Sequence, residues 1–574
     1  MVNAQAKKRR RPKQRDLVQM LLGTAVLILI NIIASYIQFS IDLTEEKRYT
    51  LSASAKKLVR NLDDIVYVKV YLEGDFPSGF KRLRNSTRDL LDQIRNYSGG
   101  NIEYEFINPS AGTNPAERKK IYRQLADKGL QPTTLEVKEG DASMQKVIFP
   151  GALVSYRSKE LPLQLLKSSI GTAPEEMINN SIGALEYEMA NTIRRLVVTS
   201  KPRIGFTEGH GELDTLQTAD ITGTLNDFYS AERVRIAGKI ENGKLTSNLS
   251  PYNLIIIAKP DSAFGENEKF LLDQYIMHGG KVIWLVDKMN ASMDSLAGAS
   301  SAMATDLQLN LDDQLFRYGV RINPNLVLDL EAAPIPIVTG NIGNQPKTEF
   351  LPWMYFPLVF PKTNHPVVNN LNAVKCEFTS SIDTVGPVRI RKTILLSSSR
   401  YSKTFYSPVH IDLSAVKQKP VMAQYNQPGQ PIAVLLEGAF ESGFKNRVPE
   451  ELMKYDTGFR EKSENNSMIV VADGDIIKNQ YKRSSGRFYP LGYDHYTGQS
   501  YGNKNFMLNC IDYLLDESGL ISLRSKEVRL RLLDKTRLET ERLSWQLLNT
   551  VLPVMAVALA GIIIALVRKR KYGK

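Results

Sequence analysis

Two long apolar runs lie near the ends of the chain and enclose a body of mixed polar and apolar positions. The runs cover residues 17–37 and 547–567, and each contains 21 residues without a charged side chain. A helix of that length crosses about 30 Å of hydrocarbon, so both runs predict transmembrane helices. No small-x-small cleavage pattern follows the first run, which favours a retained anchor over a cleaved signal peptide.

Strand-like alternation and helix-like periodicity take turns between residues 38 and 200. The predicted elements are, in chain order, a helix from about Ala55 capped by Ser52 or Ser54, a strand at 65–74, a helix at 79–97, a strand at 101–109, a helix at 115–128, strands at 133–139, 146–156 and 159–166, and a closing helix at 180–199. This order predicts a thioredoxin-like α/β domain. No C-x-x-C motif is present, so a redox role is excluded and only the scaffold is shared.

A second α/β pattern begins at residue 201 and continues to residue 520. The predicted elements are strands at 202–209, 233–238, 252–260, 279–287, 326–330, 387–399, 430–438 and 467–475, with helices at 212–228, 266–278, 305–318 and 503–517. Strands that alternate with helices predict a parallel sheet, and ligands of such sheets bind beyond the carboxyl ends of the strands. Residues 331–430 break the alternation and predict an insertion of strands and loops within this domain.

The net charge of +13 is concentrated at the two ends of the chain. Residues 1–16 hold seven Lys/Arg and one Asp, and residues 568–574 hold five Lys/Arg and no acid, so the tails carry +11. A nucleic-acid-binding protein would carry this charge on its folded body. The positive-inside rule instead predicts that both tails are cytoplasmic and that the body lies outside the cytoplasm. A charged helix at 528–545, within a juxtamembrane segment at 521–546, leads into the second span.

The chain lacks several motifs that identify common enzymes. The phosphate-binding pattern G-x-x-x-x-G-K-[ST] is absent, which argues against ATP hydrolysis, and H-E-x-x-H does not occur. Cys376 and Cys510 are too few for a metal site by themselves, and the sequence leaves open whether they form a disulfide. We therefore expect no cofactor and no bound metal.

One charged turn is the strongest candidate for chemistry. Glu208, His210 and Glu212 alternate with glycines directly after a predicted strand. A histidine flanked by carboxylates offers a general base or metal ligands, which makes an enzyme centred on this turn one alternative. Glycines at φ > 0 and a glutamate in a first helical turn would instead make it a structural turn. Contact with a ligand or partner is a third interpretation.

Asp473 and Asp475 form a second candidate site after the strand at 467–475. A carboxylate pair can bind a divalent cation, whereas Asp-Gly is also a common turn pair, and we favour the turn. Separately, EGDFPSGFK (73–81) and EGAFESGFK (437–445) share seven of nine residues. Coincidence and a relationship between two lobes both remain open.

Four stretches together resemble a known family. They are IDLTEEKRYTLS (41–52), EGHGE (208–212), IVVADGDIIKN (469–479) and GNKNFMLNCIDYLL (502–515). The chain resembles the auxiliary, substrate-binding-like components of ABC transporters of the gliding-motility type in Bacteroidota. It departs from the family pattern at Ala472, where a glycine is usual, which weakens the case for a ligand loop there.

The resemblance implies a non-catalytic subunit of the inner membrane with a periplasmic body. Its implied partners are a separate multi-span permease and a cytoplasmic ATPase, together with substrate or cell-envelope components, and the complex is linked to gliding motility and its secretion machinery. The resemblance also implies a glutamine-amidotransferase-like fold for the central domain, without catalytic residues. A passive envelope scaffold is a further alternative.

Overall fold

The computed structural model describes residues 10–36, 50–111, 114–139, 142–167, 172–198, 200–296, 299–342, 345–361, 363–482, 485–516, 519–525 and 540–572. The chain divides into two compact units, Met1–Lys526 and Glu527–Lys574. The first unit contains the mixed α/β body, and the second contains the last helix.

The described helices alternate with strands through most of the body, as expected for an α/β protein. The α-helices are α1 (Arg10–Tyr36), α2 (Ala53–Arg60), α3 (Ser78–Tyr97), α4 (Pro115–Asp127), α5 (Pro174–Val197), α6 (Ala219–Asn226), α7 (Glu266–Met277), α8 (Met293–Leu296), α9 (Asp312–Tyr318), α10 (Asn503–Leu515) and α11 (Arg542–Tyr572). The strands of the N-terminal part are β1 (Val66–Val70), β2 (Ile102–Phe106), β3 (Thr133–Glu139), β4 (Ala142–Ile148), β5 (Gly151–Tyr156) and β6 (Lys159–Gln164).

The remaining strands belong to the region after residue 200. They are β7 (Arg203–Thr207), β8 (Ser230–Val234), β9 (Gly238–Glu241), β10 (Lys244–Ser247), β11 (Leu254–Ala258), β12 (Lys281–Leu285), β13 (Met289–Asn290), β14 (Ser301–Asp306), β15 (Val320–Ile322), β16 (Asn325–Asp329), β17 (Ala332–Ile342), β18 (Gln345–Val359), β19 (Val374–Lys375), β20 (Ile382–Thr384), β21 (Arg391–Ser397), β22 (Ser402–Tyr406), β23 (Val409–Asp412), β24 (Pro431–Glu441), β25 (Lys462–Val471), β26 (Tyr481–Lys482) and β27 (Arg487–Phe488).

The N-terminal part is built on a four-stranded sheet of order β2-β1-β5-β6. Strand β1 is parallel to β2 and antiparallel to β5, which is antiparallel to β6. Helices begin where the sequence offers caps: Ser52 accepts a hydrogen bond from the Ala55 N–H before α2, and Asn114 accepts one from Ala116 before α4. The thioredoxin-like assignment of this region stays a prediction.

The larger sheet has seven strands in the order β21-β24-β25-β12-β11-β7-β8. Five neighbouring strands, from β25 to β8, are parallel, while β24 and β21 pair antiparallel at the other edge. Strand β11 has the sequence Leu-Ile-Ile-Ile-Ala and is buried along its whole length, because helices cover both faces of the sheet. Alternate residues of β11 enter two separate hydrophobic clusters, which include residues of α10 on one face and of α7 on the other.

Two predicted helices of this domain are partly wrong. Residues 212–218 are not helical, and α6 begins only at Ala219, because the Leu213 N–H donates to the carbonyl of Ala258 on the neighbouring strand. The helix predicted at 305–318 is shortened to α9, because Thr305 and Asp306 are the end of β14 and pair with β13. The insertion at 331–430 contains strands, as expected, but its strand β21 also completes the edge of the main sheet.

The two similar nine-residue segments share only local features. Gly74 and Gly438 both have positive φ, 137° and 145°, and both phenylalanines of each segment are buried. After Pro77 the first segment enters α3, whereas the second continues as β24 to Glu441. The likeness therefore does not extend to secondary structure.

The described residues contain one helix that is long and apolar enough to cross a membrane, Arg542–Lys571, and a shorter apolar helix, Met20–Ile32. Their apolar side chains are exposed, as in Leu27 and Ile563, rather than packed into a core. Length and composition thus make a membrane anchor possible without establishing two spans. The charged helix predicted at 528–545 lies mostly outside the described residues.

Candidate functional site

The carboxyl ends of parallel strands β7, β11, β12 and β25 meet at one edge of the seven-stranded sheet. This edge receives the predicted turn at 208–212, the predicted loop at 473–475 and two residues that the sequence reasoning missed, Lys259 and Asp287. These groups form two charged clusters on neighbouring loops.

The backbone of the 208–212 turn is fixed by glycine and by the loop after β11. Gly209 and Gly211 have φ values of 123° and 73°, which favour glycine. A Cβ on Gly211 would lie 1.7 Å from Asp261 Oδ1. The carbonyl of His210 accepts hydrogen bonds from the N–H groups of Asp261 and Ser262 at 2.8 and 3.1 Å. The turn is therefore held against its neighbour and has room for no larger residue at Gly211.

The His210 side chain is enclosed by two carboxylates and an aromatic ring. Its Nε2 lies 3.0 Å from Glu268 Oε2 and its Nδ1 lies 3.5 Å from Glu212 Oε1. The imidazole stacks on Phe264 with ring centroids 3.8 Å apart, and 6% of the side chain is exposed. Burial opposes protonation, but the hydrogen bonds with Glu212 and Glu268 outweigh it and raise the His210 pKa above its usual value.

Glu212 stabilises the turn and not a helix, contrary to the sequence prediction. Its Oε2 accepts a hydrogen bond from the His210 N–H at 2.7 Å, and only 1% of its side chain is exposed. Burial raises the pKa of Glu212, but its hydrogen bonds from His210 reverse the effect and leave it lowered. Glu208 differs, because it is half exposed and lies 3.3 Å from Arg235 Nε. Glu208 is thus the accessible member of the three.

The second cluster contains three buried carboxylates, Asp287, Asp473 and Asp475, whose ligand atoms lie within 4.8 Å of one another. Such a set has the chemistry of a divalent-cation site. The Nζ of Lys259, however, lies 2.9 Å from Asp287 Oδ2 and also pairs with Asp475. An ammonium group therefore neutralises the cluster that a metal ion would otherwise occupy.

The remaining carboxylate oxygens are also satisfied. Asp473 accepts hydrogen bonds from the N–H groups of Glu377 and Asp475, each at 2.8 Å. Asp287 accepts one from Gly474 at 2.5 Å, and Asp475 pairs with Lys478 at 3.1 Å. This arrangement favours the interpretation of 473–475 as a charge-stabilised turn over a cation site.

The neighbouring charges shift the pKa values of these groups. Burial raises the pKa of Asp475, but Lys259 and Lys478 outweigh it and lower the pKa below its usual value. Burial, Asp287 and Asp475 raise the pKa of Asp473 well above its usual value. Lys259 is held charged, since both aspartates raise its pKa against the effect of burial.

The sequence contains a signal for Lys259 and Asp287, the two residues that the sequence analysis missed. Lys259 directly follows β11, and Asp287 lies two residues after β12. Because β12 is the parallel neighbour of β25 and β11 is the next parallel strand, their carboxyl ends share an edge with Asp473 and Asp475. The sequence does not show that the lysine would fold back between the aspartates. Cys376 and Cys510, whose pairing the sequence left open, are buried and unbridged.

Known proteins agree with part of the sequence interpretation. A family model described as an ABC-type uncharacterized transport system matches residues 201–510, more than half of the chain. The chain belongs to this ABC-transporter auxiliary family. A second model, a domain of unknown function, matches residues 45–155. Family membership implies an accessory, non-catalytic role in association with an ABC transport system.

The similar individual proteins add less information. An uncharacterized protein of Borreliella burgdorferi is 20% identical over 97% of this chain and 99% of its own length. Among solved structures, the mmIFT52 N-terminal domain is 14% identical, with a TM-score of 0.30 over 55% of this chain and 98% of that domain. A ThuA-like protein of Parabacteroides merdae is 11% identical, with a TM-score of 0.26 over 55% and 90%. At these TM-scores neither likeness supports a fold assignment.

Proposed function

We propose that this chain is a membrane-anchored, non-catalytic subunit of an ABC transporter. In this proposal both basic tails are cytoplasmic, the body is periplasmic, and the apolar helices dock on a separate multi-span permease with a cytoplasmic ATPase. The observation that carries the non-catalytic part is the mutual neutralisation of the charges at the sheet edge. His210 faces two carboxylates and Lys259 faces two others, so the buried acids and bases of both clusters are already paired with each other.

The finer proposal concerns the biological setting. We take the resemblance to the gliding-motility protein GldG of Bacteroidota as support for a role in gliding motility and its secretion machinery. Glu208, the exposed member of the first turn, is our candidate for contact with substrate or an envelope partner. The other candidate residues, His210, Glu212, Asp473 and Asp475, are buried and would act by holding the edge in shape.

The subunit assignment is tested by purification of the tagged full chain from its native host in mild detergent. A multi-span permease and an ATPase should copurify in fixed proportion, as measured by mass spectrometry. A matched bait with α11 replaced by an unrelated transmembrane helix should lose both, since the proposal assigns docking to the apolar helices. Purification of the intact chain alone would contradict the proposal and would favour a passive scaffold.

The topology is tested by labelling single cysteines in spheroplasts with a membrane-impermeant maleimide. Both native cysteines are buried, so their background labelling should be low. Val388→Cys places a thiol at a residue that is 99% exposed on the body, and it should react in intact spheroplasts. Asn3→Cys in the basic tail should react only after lysis. The opposite pattern would overturn the periplasmic assignment.

A further inference from the structure

A cavity of about 650 Å³ is lined by none of the residues that form the two charged clusters. It is bounded by α7, α9, β15 and the loop that follows β24, and its volume is within the range of small-molecule sites. The nine-residue segment at 437–445 ends on its wall, where Gly443, Phe444 and Lys445 line the cavity. The sequence pattern indicated no function for this segment.

Cationic side chains outnumber carboxylates on the wall of this cavity. Six cations face three aspartates; the cations are Lys269, Lys288, Arg317, Arg321, Lys445 and Arg447, and the aspartates are Asp306, Asp312 and Asp313. An excess of positive charge in a concave site attracts anions and strengthens their binding.

The pairing of these cations identifies which of them are available to a ligand. Lys269 and Lys288 are buried and pair with Asp313 and Asp312 at 2.8 and 2.9 Å. Two of the exposed cations are also paired: Arg321 lies 2.6 Å from Asp383, and Lys445 lies 2.9 Å from Glu461.

Arg317 and Arg447 are the two cations of the wall that no described carboxylate neutralises. Within the described part of the chain, neither guanidinium has a hydrogen-bond or ion-pair partner. Both are exposed, so solvent and ligands reach them. A guanidinium presents several N–H donors in a plane that matches carboxylate and phosphate oxygens.

An apolar contact lies beside these charges. Phe316 precedes Arg317 in α9 and lines the same cavity, and half of its surface is exposed. An exposed aromatic ring next to unpaired guanidinium groups is suited to a ligand that combines an oxyanion with an apolar part.

We propose that this cavity binds a ligand bearing a carboxylate or phosphate group, which Arg317 and Arg447 hold while Phe316 contacts its apolar part. The shared chemistry is the oxyanion, and its source is either a free organic acid or phosphate compound, or the head group of an anionic lipid. The proposal concerns the chain itself and does not depend on a transporter partner.

The test is calorimetric titration of the full chain in nanodiscs of neutral lipid. The probes are citrate, inorganic phosphate and short-chain phosphatidylglycerol, with short-chain phosphatidylcholine as the neutral comparison. We expect saturable binding of at least one anionic probe and none of the neutral one. Preference for citrate or phosphate assigns a free compound, and preference for phosphatidylglycerol assigns a lipid head group.

The decisive variant is Arg317→Gln with Arg447→Gln, which removes two exposed side chains that the fold does not use. It should weaken binding by about tenfold or more. The matched control, Arg123→Gln with Arg400→Gln, removes the same charge from exposed positions elsewhere and should bind as the wild type does. Equal weakening in both double variants, or no binding of any anionic probe by the wild type, would overturn the proposal.

Discussion

The turn after β7 and the loop after β25 both hold buried carboxylates next to a cationic side chain, but the cation differs. Both lie at the carboxyl edge of one sheet and both bring acidic side chains out of water. In the first, the His210 imidazole lies between Glu212 and Glu268, and Glu268 is 35% exposed. In the second, the Lys259 ammonium lies among Asp287, Asp473 and Asp475, and each of these aspartates is at most 8% exposed.

This difference in exposure predicts that substitutions in the two places will lower the free energy of unfolding by unequal amounts. Solvent moderates the loss of a partner at Glu268, whereas Asp287 and Asp475 stay buried when they lose Lys259, so their charged forms become costly. The His210 pKa is raised from the ordinary imidazole value, which lies between pH 5 and 8, whereas the Lys259 pKa is raised further from neutrality. Substitutions in the two places should therefore differ in size and in pH dependence.

The largest effect is expected from Lys259→Met. The substitution leaves Asp287 and Asp475 without their shared counter-charge and should cost about 3–5 kcal/mol. Thermal unfolding of the full chain in nanodiscs, followed by tryptophan fluorescence, would measure it. The control Lys239→Met removes an ammonium that is 75% exposed and should leave the melting temperature nearly unchanged. Equal effects would show that the buried pairing of Lys259 is not stabilising.

Gly211→Ala should have the next largest effect. The added Cβ would meet Asp261 at 1.7 Å while the residue keeps a φ of 73°. Overpacking and backbone strain should together lower the free energy of unfolding by about 2–4 kcal/mol. Gly243→Ala is a matched control, since its φ is 76° and no atom lies within 4 Å of the added Cβ. If both variants melt alike, the contact with Asp261 is not what constrains the turn.

His210→Gln should cost about 1–2 kcal/mol, and the cost should depend on pH. The folded pKa is raised above 6.5, so the stabilisation is fully present below the unfolded pKa and is lost as the pH rises through the folded pKa. The difference in melting temperature between wild type and variant should therefore shrink from pH 6 towards pH 9.

Lys259→Met is the comparison for this pH series, because Lys259 stays charged throughout it. Its destabilisation should not shrink over the same pH range, because the buried aspartates that it leaves unpaired become costlier as they ionise. A constant difference for His210→Gln would contradict the role of a protonated imidazole in the first turn.

The smallest effect on stability is expected from Glu208→Gln. Its pair with Arg235 is exposed and contributes about 0–1 kcal/mol. Its effect should instead appear in copurification with envelope partners, if Glu208 is a contact residue as proposed. Arg235→Gln controls for loss of the surface pair. Unchanged copurification with Glu208→Gln would remove Glu208 from the contact proposal.

Much of the strand pattern was predictable from local sequence. The runs that form β3, β11 and β12 are rich in apolar or β-branched residues and lie within the predicted ranges. Errors arose where a tertiary contact competes with helix formation. The Leu213 N–H donates to the Ala258 carbonyl, and the Asp306 N–H donates to Ser407 Oγ, 101 positions later. Neither partner is visible in an 18-residue window.

Local composition and periodicity were enough to predict the apolar end segments, the concentration of charge in the tails, the alternation of strands and helices, and the glycine-rich turn at 208–212. The roles of the charged residues, in contrast, depend on the fold. Strand order brings Lys259, Asp287 and Asp475 together from positions up to 216 residues apart, and burial then forces each charge to find a partner. The same packing places Arg317 and Arg447 at a cavity without a partner among the described residues, because α9 and the loop after β24 meet only in the folded chain.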